Sequence, residues 1–330
     1  MAILEILMET IMKRRCAFLL LCLLGAFGVA LPLRGASEGV RRKVFIIKII
    51  DHSALDETVR GIRDALAERN VEIREESAKG STAASTQIAQ KFIAQKPAVV
   101  VGVGTVAAQS CINYTRLGQN AIRLVYSSVT DPKSAGLADK INITGVSNFV
   151  PLEPQLQLFR RIQPGLKRLG ILYNPEESNS KAIVDKLRLA CEKMGLRLVE
   201  RRVTQPEAMV SAVEQVAKSP VDALFISNDN TALAALENII SEANKLQVPV
   251  YVSDTDAIPL GALAALGPDQ YQVGLQTGEL VSRILDGEST KNLPPEQVRT
   301  TKLFLNAAAA KRLDIALSKE LLAEAKEVFQ

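Results

Sequence analysis

From Lys43 onward the chain alternates short apolar runs, rich in Val and Ile, with longer stretches whose apolar positions recur every three to four residues. A continuous or alternating apolar run fits a strand, and a 3.6-residue period fits a helix packed along one face. Residues 44–50, 71–75, 98–103 and 122–126 are therefore expected to be strands, with helices over 55–69, 82–95 and 106–114 between them. Strands that are apolar on both faces and separated by helices belong to a parallel sheet covered on both sides. An irregular stretch containing Asp131-Pro132 and Gly136 follows, and then a helix over 153–162.

The same rhythm then begins again. Strands are expected over 168–173, 197–202, 223–226 and 250–252, and helices over 180–194, 206–218 and 231–246. Two successive units of similar size predict an α/β fold of two doubly wound parallel-sheet lobes with a ligand cleft between them. Residues 145–154 and 253–267 are the expected passages between lobes. A helix over 273–285 and a strand over 301–305 are expected to return to the first lobe. The expected organisation is a leader over 1–37, an N-terminal lobe over 38–148 completed by 268–330, and a C-terminal lobe over 149–267.

Length and composition agree with two cores, since 330 residues with 47% hydrophobic and 23% charged side chains suit a globular chain of more than one unit. The net charge of +4 is not gathered into a tract, and aromatic residues make up 4% with no Trp, so no nucleic-acid partner is expected. Lys13-Arg14-Arg15, the apolar stretch 16–30 and then Pro32, Gly35, Ala36 and Ser37 have the form of a secretory leader. Cleavage after Ala30 and cleavage after Ser37 both remain open, and Met12 offers a second start. The expected location is the periplasm. A retained leader, or a lipid on Cys22, would instead hold the protein at the outer face of the inner membrane, although Leu20-Leu21 precede Cys22 where a lipid signal needs small residues. Cys111 and Cys191 are expected to be free buried thiols. A lone His52 and isolated cysteines give no metal-ligand spacing, and no cofactor is expected.

In open parallel sheets a ligand sits beyond the carboxyl ends of the strands. The polar residues there come from both halves: Asp51-His52-Ser53, Gly104-Thr105 and Ser127 through Asp131 from one, and Asn174 through Ser180, Ser227 through Thr231 and Ser253 through Asp256 from the other. A free amino acid brings a carboxylate and an ammonium, and a cleft must partner both because burying unpaired charge is costly. Thr105 opens a helix straight after a strand, so its hydroxyl and the free N–H groups could receive an anion, with an ordinary cap as the equal alternative. Ser127 and Ser128 would add hydroxyls. On the other lobe Asn228 and Asp229 end a strand and open a helix, and Asp229 is weighed as the ammonium partner against a capping role. Asp254 is the second choice for that role, Asn179 and Ser180 either touch ligand or cap, and His52 and Asp131 complete the candidate set.

Several motifs in order, among them Asp51-His52-Ser53-Ala54-Leu55-Asp56, Thr105-Val106-Ala107-Ala108-Gln109, Val129-Thr130-Asp131-Pro132, Leu172-Tyr173-Asn174-Pro175 and Ser253-Asp254-Thr255-Asp256, make the chain resemble the type I periplasmic binding proteins of ABC importers, in the group around tryptophan and tyrosine uptake. The resemblance spans about Lys43 to Ala325. It implies two doubly wound lobes joined by three crossovers, a small-molecule solute held in the cleft, and docking of the closed form on an ABC permease with its ATPase subunit. Ser53 and Val106 stand where members often have Pro, Glu176 where Gly is usual and Gln270 where Tyr is common, and the last departure weakens the expectation of an aromatic solute.

An enzyme is not expected: there is no Gly-x-Ser-x-Gly elbow, no phosphate loop and one His in the chain. A repressor with this two-lobed core would carry an N-terminal helix-turn-helix where a leader stands here. The expected function is a monomeric, extracytoplasmic solute-binding protein that closes on an amino acid, aromatic or not, with a ligand sensor for a signalling partner as the alternative.

Overall fold

In a computed structural model of the chain, residues 41–114, 122–219 and 221–330 are described. The expected leader over 1–37, with its cleavage positions, Met12 and Cys22, lies outside the described residues. The β-branched runs form β1 (Arg42–Lys48), β2 (Val71–Ser77), β3 (Val99–Val103) and β4 (Arg123–Val129), alternating with α1 (Ser53–Ala65), α2 (Thr82–Ala94) and α3 (Thr105–Cys111). A fifth strand, β5 (Ile143–Ser147), lies in the stretch expected to be irregular. Its weak signal has a local cause: a Cβ on Gly145 would lie 2.1 Å from the carbonyl oxygen of Tyr126, so the two strands approach closely only because that residue is glycine.

After α4 (Leu152–Ile162) come β6 (Arg168–Tyr173), α5 (Ser178–Lys193), β7 (Arg197–Arg202), α6 (Met209–Lys218) and β8 (Ala223–Ile226). The helix expected over 231–246 is two helices, α7 (Asn230–Ala234) and α8 (Leu236–Lys245), parted at Ala235. Then follow β9 (Val250–Val252), β10 (Ala264–Pro268), α9 (Gln270–Leu285), β11 (Glu296–Gln297), β12 (Thr301–Asn306), α10 (Ala307–Arg312), α11 (Lys319–Glu324) and β13 (Glu327–Phe329).

Two sheets result. The first runs β11-β5-β4-β3-β1-β2 with every pairing parallel; the second runs β13-β12-β10-β9-β8-β6-β7, parallel except where β12 meets β10. Strand 301–306 thus differs from the expected return to the first lobe. It lies antiparallel to β10, with Ala264 opposite Leu305 and Pro268 opposite Thr301. Leu305 is fully buried in the second lobe's core, and an alternating strand pattern does not say which of two sheets will receive it. Of the segment 268–330, α9 and β11 serve the first lobe, whereas β12 and β13 serve the second. The chain therefore crosses three times, near 148–151, at Asp269 and near 298–300.

One apolar core joins β1–β5 to α1–α3 and α9, and two more cover the faces of the second sheet. In the second lobe Phe159 stacks on Tyr251 at 4.0 Å between ring centres, and the Tyr251 hydroxyl donates to Gln163 Oε1 at 2.7 Å. Cys111 and Cys191 are free and buried, and burial pushes their thiols up to about 12 and about 11. No helix among the described residues is long and apolar enough to cross a membrane.

Candidate functional site

All strands from β1 to β4 and from β6 to β9 are parallel within their sheets, so their carboxyl ends gather on one edge of each lobe, and these edges face each other. Between them lies a cavity with about 450 Å³ of empty space, including the part open to solvent. From the first lobe His52, Gly104, Thr105, Ser128, Thr130 and Gln270 line it. From the second come Asn179, Asn228, Asn230, Leu233 and Asp254.

Each wall is positioned by a local device. His52 caps α1, its Nδ1 accepting the N–H of Ala54 at 3.3 Å. An accepting Nδ1 carries no proton, so in the neutral ring the proton sits on Nε2. That atom points across the cleft and lies 3.3 Å from Oδ2 of Asp254. Asp254 follows β9 and opens a short turn, its Oδ1 accepting the N–H of Asp256 at 3.1 Å. Its Oδ2 is buried with no hydrogen-bond donor aligned on it. Burial raises the Asp254 carboxyl above its ordinary range and Asp256 adds to this, while His52 acts in the opposite sense.

Asn179, on the first turn of α5, gives its amide N–H to the carbonyl of Asn228 at 2.7 Å. The amide nitrogen therefore faces the protein, and the buried Oδ1 has no partner. A second acceptor is thus left unsatisfied in the same wall. Opposite, Ser128 has φ 52, a left-handed conformation at the register irregularity between Ser127 and Val129. This kink turns its hydroxyl to Oε1 of Gln270 at 2.8 Å and to Oγ1 of Thr58 at 3.1 Å. Gly104, ahead of α3, has φ 90 and no side chain with which to cap the helix.

Of the ten residues singled out from the sequence, His52, Thr105, Ser128, Asn179, Asn228 and Asp254 come together in the cavity. The other four do not line it. Ser127 lies in the first lobe with its hydroxyl 2.7 Å from Oγ1 of Thr277. Asp229 is the cap of α7: Oδ1 accepts from Ala232 N and Oδ2 from Asn174 N, each at 2.7 Å, and Ser180 adds a side-chain hydrogen bond. Burial, followed by the nearby Glu177, raises Asp229 to about 6. Asp131 forms an ion pair with Lys186 of α5 and so ties the lobes together beside the cavity. Burial acts against its charge, but Lys186 and the Ser134 N–H prevail, and its carboxyl is held below the ordinary range. Thr130 and Asn230 belonged to the expected strand-end ring but not to the ten candidates, and Asn148 was missed, although it follows β5 directly and the strand-end rule would have found it once that strand was recognised.

Known proteins resemble this chain over nearly all the described residues. A tyrosine-binding protein of Clostridioides difficile is 27% identical over 83% of this chain and 81% of its own length. A Streptococcus pneumoniae ABC domain in complex with L-Trp is 28% identical, covers 88% of this chain and 100% of its own, and superposes with a TM-score of 0.83. A ligand-free, open structure of a Clostridium difficile substrate binding protein with adhesive properties is 27% identical, covers 88% and 99%, and gives a TM-score of 0.67. The two lobes and their cleft are those of the type I periplasmic binding proteins. With the profile of the ABC transporter substrate binding proteins matching residues 43–329, the chain belongs to that family.

Proposed function

We propose that this protein is the exported, solute-receiving component of an ABC importer, that it closes its two lobes on a free amino acid, and that it delivers this solute to a membrane permease with its ATPase subunit. The observation that carries the reading is a pair of buried acceptors on the second-lobe wall of the cavity, Asn179 Oδ1 with no hydrogen-bond partner and Asp254 Oδ2 with only the His52 ring 3.3 Å away and not aligned as a donor. A buried acceptor without a donor is costly, and a primary ammonium supplies up to three N–H groups at once. The carboxylate of the same molecule would face the first lobe, where Thr105 at the start of α3 offers a donor. Micromolar binding needs only about 8 kcal/mol, within reach of a few charge-assisted hydrogen bonds after ordering costs.

Hinge closure is supported by the cross-lobe contacts and by the better superposition on the ligand-bound relative than on the open one, at nearly equal identity. Each contact favours the closed state, and a ligand that touches both walls adds to it. We take the working form to be a monomer, with no catalytic step. The test is a thermal-shift screen of the protein from Arg41 onward against amino acids, nucleosides, vitamins and sugars. An amino acid should raise the melting temperature in a concentration-dependent way; no shift with any amino acid would reject the reading.

A further inference from the structure

Gln270 is the first residue of α9, where the chain re-enters the first lobe and meets the cavity. Its Oε1 lies 2.8 Å from the Ser128 hydroxyl and 3.1 Å from that of Thr58. Thr58 is fully buried and Ser128 nearly so. The Ser128 hydroxyl therefore holds the amide oxygen, with the Thr58 hydroxyl shared between it and the Ala54 carbonyl, which leaves the two N–H donors of the opposite nitrogen for other acceptors. They ask for an acceptor.

The rest of the wall has the same character. Among the described residues that line the cavity, only Ala54, Leu55 and Leu233 have wholly apolar side chains, and no Phe, Tyr, Lys or Arg is present. An indole or phenyl ring would find only the His52 imidazole, held by its cap and by Asp254, to stack on, and it would bring carbon against several amide groups that water or ligand must otherwise satisfy. A charged side chain would find no counterion beyond Asp254, which the ammonium already uses. A carboxamide or hydroxyl both donates and accepts.

We propose that Gln270 is a specificity-determining residue and that the cavity selects amino acids with uncharged, hydrogen-bonding side chains, those of glutamine, asparagine, threonine and serine, over aromatic ones. This rests on the amino-acid reading above. The test is calorimetry of the protein from Arg41 onward with these four amino acids and with L-tryptophan, L-tyrosine and L-phenylalanine, repeated on Gln270→Leu, and on Gln270→Met should the leucine variant fail to fold. At least one polar amino acid should bind ten-fold or more tightly than any aromatic one, and the substitution should shrink that ratio at least ten-fold. Aromatic binding as tight as polar binding, or a ratio that survives the substitution, overturns the assignment while leaving the amino-acid reading intact. Failure of both classes to bind overturns the two together.

Discussion

Nε2 of His52 and Oδ2 of Asp254 lie 3.3 Å apart, and they belong to opposite lobes. The imidazole is held by its cap on α1 and the carboxylate by its turn after β9, so the contact spans the cleft from one lobe to the other. A ligand ammonium at the same oxygen would turn this two-sided contact into a three-sided one.

Asp254→Asn should weaken solute binding by about 2–4 kcal/mol, roughly 30- to 1,000-fold, the range for removing one partner of a buried charged hydrogen bond. The unliganded protein should not lose stability at neutral pH, because burial already disfavours the charge that the substitution removes. Calorimetry and thermal denaturation together check this, and unchanged affinity would sink the role given to Asp254.

Lys186→Met removes the ion pair with Asp131 without touching the cavity wall. The lysine side chain is 43% exposed, so the effect should be below about 1 kcal/mol, a few-fold loss of affinity. Small-angle scattering of the unliganded variant should show a larger radius of gyration than wild type, and raised salt should move wild type the same way. Identical scattering curves at all salt concentrations would remove this pair from the closure mechanism.

Asp229 makes stability depend on pH in an unusual direction for a carboxylate. Its ordinary value is 3.8, and burial beside Glu177 raises it to about 6 in the folded state. As pH rises from about 4 to about 6 the unfolded chain loses this proton first, so the group's contribution to stability falls over that window. Denaturant unfolding from pH 4 to 7 should show a wild-type decline that is flatter in Asp229→Asn, even though the variant is less stable overall for want of one accepting oxygen. Parallel pH profiles would contradict the raised value.

Gly145→Ala should destabilise the first lobe by more than about 2 kcal/mol, as overpacking against a neighbouring backbone does. Tyr126 contributes both the carbonyl and ring atoms to the clash, so no side-chain rotation relieves it. Chemical denaturation measures the loss.

Much of the fold was legible because continuous apolar runs and amphipathic helices leave strong periodic signals: residues 168–173, 197–202, 223–226 and 250–252 are strands over the expected bounds. Of the four strands missed, Glu296–Gln297 and Glu327–Phe329 are only two and three residues long, and Ile143–Ser147 and Ala264–Pro268 are short and built partly of Gly, Ala and Pro, whose presence reflects close backbone approach rather than strand propensity. Strand-end logic likewise assembled His52, Thr105, Ser128, Asn179, Asn228 and Asp254 at one cavity. It does not tell which way a side chain turns. Asp229 and Asp254 both follow a strand, but the free N–H groups of Asn174 and Ala232 capture the first, whereas Oδ2 of the second faces the His52 ring across the cleft.

The helix Gln270–Leu285 lies against Ser53–Ala65 so tightly that a Cβ on Gly274 would sit 2.1 Å from the Thr58 carbonyl oxygen. These partners are separated by almost the whole second lobe in the order of synthesis. A chain emerging from the ribosome thus presents the first lobe with a bare apolar flank until residue 285 has followed. Neither lobe corresponds to a contiguous stretch that could be cut out, and maturation of the first must wait on passage of the second.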